Sequence, residues 1–212
     1  MKFRGRFVLV VTVITLAFGM LPLSVMAETD GELSVSGNAL EFYTEMTSES
    51  GLETITGFCG DLSENEGKNV TYTITDSDGD GTYDLLNIDG VGRMRNYSRF
   101  DDNRPPWVFR SIQDKICIRR AIIGDGVTCV GSFAFRGCIL KKVTLSEGVM
   151  TIGEGAFEDC DSLKEVIIPE GVTTIGEGAF ESCNSLKEVT IPEGVTTIGR
   201  CAFQDCSSLR EV

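Results

Sequence analysis

The sequence contains no histidine. That removes the commonest general base and the commonest metal ligand together. A Ser/His/Asp or Cys/His triad cannot be assembled from it, nor a zinc site that uses imidazole. Positive charge is scarce, with 19 Lys and Arg against 32 Asp and Glu. Nucleic acid and anionic membranes call for cationic patches, so this balance disfavours both as partners. The eight cysteines include no Cys-x-x-Cys pair, which argues against a Cys₄ metal site. No Gly-rich phosphate loop is present. With 32 acids some carboxylates fall close together by chance, and no pair is marked out for glycosidase-type work. The expectation is a protein without catalytic activity.

The long apolar run stands at the start, in "MKFRGRFVLVVTVITLAFGMLPLSVMA". Lys2, Arg4 and Arg6 precede it, and Val25-Met26-Ala27 offers small residues for cleavage. Residues 1–27 are therefore predicted to be a secretory signal peptide, and the protein to be secreted or at the cell surface. A membrane anchor would need a longer core and a charged flank. Without residues 1–27 the chain keeps 16 Lys and Arg against all 32 acids, an acidic extracellular surface. About 185 residues can bury a sizeable core.

What the chain has in quantity is repetition. Gly-Val pairs begin at Gly126, Gly148, Gly171 and Gly194, and cysteines stand at Cys138, Cys160, Cys183 and Cys206. Both series step by 22, 23 and 23. Residues 162–184 and 185–207 agree at 17 of 23 positions. A period in this range signals a stack of short coils, one per repeat. Within 162–184, Val166 and Ile168 have the two-residue period of a strand, which Pro169 ends. Val172 to Ile175 reads as a second extended piece, and "GEGAFESC" as a tight or helical turn returning to the next strand. One coil cannot bury its own apolar face, so each copy is expected to form its neighbour's core.

These residues resemble a known family. "LKEVTIPEGVTTIGRCAFQDCSSL" is similar to the BspA-like leucine-rich repeats of bacterial surface proteins, over residues 116–212. The resemblance implies a right-handed leucine-rich-repeat solenoid with a parallel concave sheet, and a role in adhesion or protein binding. The first unit departs by placing Gly124 where later units have Ser146, Pro169 and Pro192. The preceding segment also resembles that of such proteins, through Cys59-Gly60, a hairpin, Gly90-Val91-Gly92-Arg93-Met94 and Pro106-Trp107. A β-rich N-terminal cap is expected over 59–115, after a leader at 28–58 that is either flexible or an extra cap strand. Trp107 is the expected plug between cap and first coil. The closing "SSLREV" starts a new strand, which puts Leu209 and Val212 on an open edge, and the expectation is either a fragment of a longer array or an array whose cap is missing.

Two candidate sites follow. In "DSDGDGTYDLLN", Asp76, Asp78, Asp80 and Asp84 fall at positions 1, 3, 5 and 9 of a calcium loop, with the Thr82 carbonyl at position 7. Asn87 stands where a bidentate acid is usual, and Asp and Gly are also ordinary turn residues, so a solvated hairpin tip is the alternative. The outward strand positions form the second candidate, a partner-binding face. One column is Arg120, Lys142, Glu165, Glu188; the next is Ile122, Thr144, Ile167, Thr190. A protein partner, from host matrix or another cell, is expected there. The competing reading is a structural spacer within a larger surface protein. The four periodic cysteines are expected to be buried thiols, although a secreted chain also permits disulfides.

Overall fold

A computed structural model of the chain describes residues 45–47, 54–100, 103–108 and 116–210. The signal peptide, most of the leader and Val212 lie outside the described residues. Strand β1 spans Glu45–Thr47 and β2 spans Thr54–Phe58, within the expected leader. Val70–Thr75 (β3) alternates buried apolar with half-exposed polar residues, as a half-buried strand should. It pairs antiparallel with Tyr83–Gly90 (β4) across the Asp-Gly tip, giving the expected hairpin. Gly92–Arg93 (β5) follows, then Ile116–Ile123 (β6) and Val127–Val130 (β7) of the first coil. Each later coil adds a strand pair: Lys142–Leu145 (β8) with Thr151–Ile152 (β9), Glu165–Ile167 (β10) with Thr174–Ile175 (β11), and Glu188–Thr190 (β12) with Thr197–Ile198 (β13). Tight turns make the return, and no α-helix occurs among the described residues.

Parallel pairing links one repeat to the next. Thr151, Thr174 and Thr197 are register partners in turn, as are Ile152, Ile175 and Ile198. The segment before the repeats joins this scheme directly. Strand β4 pairs parallel with β6, and β5 with β7, so both strand edges of the first coil are covered. Trp107 is buried there. Its Nε1 donates to Ala134 O at 2.8 Å, and its ring lies 5.7 Å from Phe135. The same layering accounts for the Gly-Val glycines, since a Cβ at Gly126 or Gly148 would collide with the backbone carbonyl of Gly90 or Asp125 in the layer before. At Gly124 the nearest atom to a Cβ would be the movable end of the Asp89 side chain of β4, at 2.6 Å.

The core is a set of columns. Phe135, Phe157, Phe180 and Phe203 stack with centroids 5.1–5.3 Å apart. Each such pair adds about 0.5–1.5 kcal/mol beyond burial. The cysteine column is unpaired by disulfides and hydrogen-bonded instead. Cys160, Cys183 and Cys206 donate to Phe135 O, Phe157 O and Phe180 O at 3.1, 3.1 and 3.0 Å. A thiol here therefore fills a small apolar space and satisfies a buried carbonyl. Burial pushes the Cys138 and Cys183 thiols up to about 12.

The strands that carry the expected columns are joined by backbone ladders in two pairs. Ladders join β6 to β8 and β10 to β12, whereas β8 and β10 pack side by side without one. The link entering β8, Cys138 to Leu140, is one residue shorter than the link entering β10, Cys160 to Leu163. The second sheet, β5-β7-β9-β11-β13, is continuous.

Candidate binding face and candidate metal site

The exposed face of the first sheet is set by a simple alternation. In β8, Val143 and Leu145 point inward and Lys142 and Thr144 outward; β10 and β12 repeat the pattern. Register brings the predicted residues together: Arg120 with Lys142, Ile122 with Thr144, Glu165 with Glu188, and Ile167 with Thr190. All eight are exposed, including Ile122 at 42% and Ile167 at 67%. The columns also extend backward into the hairpin, where Leu85 partners Arg120 and Asn87 partners Ile122. A shallow depression of about 170 Å³ lies at this junction, lined by Leu85, Arg120, Ala121, Ile122, Lys142 and Thr144.

A further column escaped the sequence reading. Arg119, Lys141, Lys164, Lys187 and Arg210 occupy the same place in successive coils, at the repeat step of 22 or 23. Backbone bonds stack them: Lys141 N on Arg119 O at 2.7 Å, Lys187 N on Lys164 O at 3.1 Å, and Arg210 N on Lys187 O at 3.0 Å. The signal was available as a periodic cation in an acidic chain.

At the hairpin tip, carboxylate oxygens of Asp76, Asp78 and Asp80 come within 4.8 Å of one another. The other expected ligands lie differently. Asp84 is buried, and its Oδ1 accepts from Ser77 N at 3.1 Å. Asn87 sits inside β4, opposite Thr73 and Ile122, because the chain leaves the tip as an extended strand. The three carboxylates also serve the turn itself. Asp76 Oδ1 and Oδ2 accept from Gly79 N and Gly81 N at 2.7 Å, and Asp80 Oδ1 accepts from Thr82 N at 2.7 Å. Desolvation pushes the Asp76 carboxyl up, but backbone N–H bonds led by those of Gly81 and Gly79 outweigh it and hold the group below the usual range.

Away from the face, buried Glu158 joins three layers. Arg99 from the preceding segment and Arg136 from the first coil both pair with it, Arg136 Nε at 3.2 Å. Arg136 also reaches Asp159 at 3.0 Å. Breaking one partner of a buried pair is costly, so this cluster fixes the preceding segment against the coils rather than offering a reactive group. No helix among the described residues is long and apolar enough to cross a membrane.

Residues 111–212 match the family described as BspA type leucine-rich repeat region, in six copies. Among solved structures, a leucine-rich repeat protein from Bacteroides ovatus is similar over 82% of this chain and 40% of its own, at 25% identity and a TM-score of 0.50. One from Eubacterium ventriosum is similar over 75% of this chain and 44% of its own, at 24% identity and a TM-score of 0.50. A leucine-rich cell surface protein from Faecalibacterium prausnitzii aligns over 68% and 37%, at 28% identity and a TM-score of 0.49. The chain spans less than half the length of each of these relatives. No curated protein matches the chain.

Proposed function

We propose, for a chain whose residues 111–212 are a BspA-type leucine-rich repeat region, a role as a secreted or cell-surface module that binds a protein partner. The binding surface is the exposed face of a right-handed solenoid, closed at its first coil by residues 59–115. The observation that carries this reading is that Ile122 and Ile167 are both exposed on strands that also present charged residues outward, Arg120 and Lys142 in one register and Glu165 and Glu188 in the other. Side chains of mixed character on a broad, rigid surface suit recognition of another protein. Nothing in this role requires catalysis. The test is saturable binding of the chain lacking residues 1–27 to host cells or immobilised matrix proteins. Binding at micromolar concentration, lost in Ile122→Asp with Ile167→Asp, supports the reading. Absence of binding leaves the module as a spacer.

Calcium at the hairpin tip is a separate proposal. Three carboxylates within 4.8 Å supply hard oxygen donors. With Asn87 and Asp84 directed elsewhere, the expected affinity is about millimolar, in the range of weak extracellular sites. Calorimetric titration compares the chain with Asp78→Ala plus Asp80→Ala. Heat lost in the variant supports the site, and its absence leaves a solvated turn.

A further inference from the structure

Cations are rare in this chain and they are not scattered. Seven of the 19 Lys and Arg recur at the repeat step on two adjacent positions of the coils: Arg119, Arg120, Lys141, Lys142, Lys164, Lys187 and Arg210. The first two coils carry them doubled. In the third and fourth, the second cation is replaced by Glu165 and Glu188. Arg120 and Lys142 are direct register partners, and like charges facing one another across strands are destabilising. Among the described residues, none of Arg119, Arg120, Lys141 and Lys142 makes an ion pair. Beside them lies the shallow depression whose apolar wall is Leu85, Ala121 and Ile122.

We propose that Arg120 and Lys142, adjoined in the chain by Arg119 and Lys141, form with the apolar floor of Leu85 and Ile122 the docking point for a short acidic segment of a protein partner, one that carries an apolar residue beside its carboxylates. The proposal rests on the protein-binding reading and names the partner's chemistry. Charge complementarity sets the acidic character. Two features set its length and kind. The doubled positive charge ends after two coils, where Glu165 and Glu188 stand beside Lys164 and Lys187 and offset them, so a long polyanion gains little net attraction by continuing along the stack. The apolar floor rewards a hydrophobic side chain, which an acidic polysaccharide lacks. The surrounding negative surface repels acidic chains everywhere else, so it orients the segment onto this cluster.

The experiment is fluorescence anisotropy with a labelled peptide of repeated Asp-Glu-Leu, read against the chain lacking residues 1–27. Binding that weakens with salt is expected, and it should fall at least about tenfold when Leu is replaced by Ser. It should fall by about the same factor in Arg120→Glu with Lys142→Glu, and change little in Lys164→Glu with Lys187→Glu. Circular dichroism checks that both variants keep the fold. Equal binding of the Ser peptide or of dextran sulfate overturns the proposal in favour of plain polyanion attraction. So does binding that survives the Arg120/Lys142 reversal. Self-association that this reversal abolishes overturns it too, making a second copy's Glu165 and Glu188 the occupant. If the peptide fails while Ile122→Asp with Ile167→Asp still abolishes matrix binding, only the acidic segment falls. If both fail, the face itself is not the binding surface.

Discussion

The third and fourth coils say nearly the same thing and live in different surroundings. Ile175 and Ile198 hold the same place in 162–184 and 185–207, and they are register partners. Ile175 is fully buried; Ile198 is 50% exposed. Phe180 is sealed between Phe157 and Phe203, while Phe203 is only partly buried. The sequence of a coil therefore does not decide how much it contributes to stability. Its neighbours do, as expected where each unit touches only the units beside it.

The sharpest break in that comparison is Phe180→Ala against Phe203→Ala. The first should cost about 3–5 kcal/mol, because it empties the middle of a stacked column. The second should cost less than half as much, measured by urea denaturation. Ile175→Ala against Ile198→Ala repeats the contrast at smaller scale, about 2–5 kcal/mol against under about 1 kcal/mol. Equal costs within either pair would contradict the neighbour argument.

The cysteine column makes a pH-dependent version of the same test. Burial holds Cys138 and Cys183 protonated up to about 12, against an ordinary value of 9.0. Between those values the unfolded chain releases protons that the folded chain retains. Stability is therefore fully present below pH 9 and declines as pH rises toward 12. The melting temperature of Cys183→Ala should lie lower at neutral pH, by the loss of one hydrogen bond worth about 1 kcal/mol. It should also fall less steeply in alkali.

The smallest effect comes from a position where the coils differ. Phe133, Gly155, Gly178 and Cys201 share one turn site with φ of 54–58°. Left-handed backbone costs a side chain about 1–2 kcal/mol and glycine little. Cys201→Gly, which restores the residue of the third coil, should stabilise by up to about 1 kcal/mol in the same denaturation assay.

Much of this was legible in the chain because repetition makes one contact into four. The step of the glycines and cysteines foretold the parallel registers, and the alternation in β3 foretold the hairpin. Trp107 was placed correctly because a solitary Trp before a repeat array has an uncovered coil to pack on. The hidden features arise between layers. The collision that demands Gly126 involves the carbonyl of Gly90, 36 residues earlier, and no local pattern announces it. The thiol-to-carbonyl bonds cross from one coil to the one before. The missing ladder between β8 and β10 is likewise a property of two neighbouring layers, and the repeat step of 23 between them gives no sign of it. At the hairpin tip, spacing alone suggested Asp84 as a ligand, but that residue lies in the strand that follows, where it is buried and accepts from Ser77 N.

The central claim is that the exposed columns of the first sheet receive a protein partner. Hydrogen exchange, with and without a bound matrix protein, tests it most directly. The account predicts added amide protection in β6, β8, β10 and β12, with the second-sheet strands β9, β11 and β13 unchanged. Protection confined to the second sheet or to the return turns would contradict it.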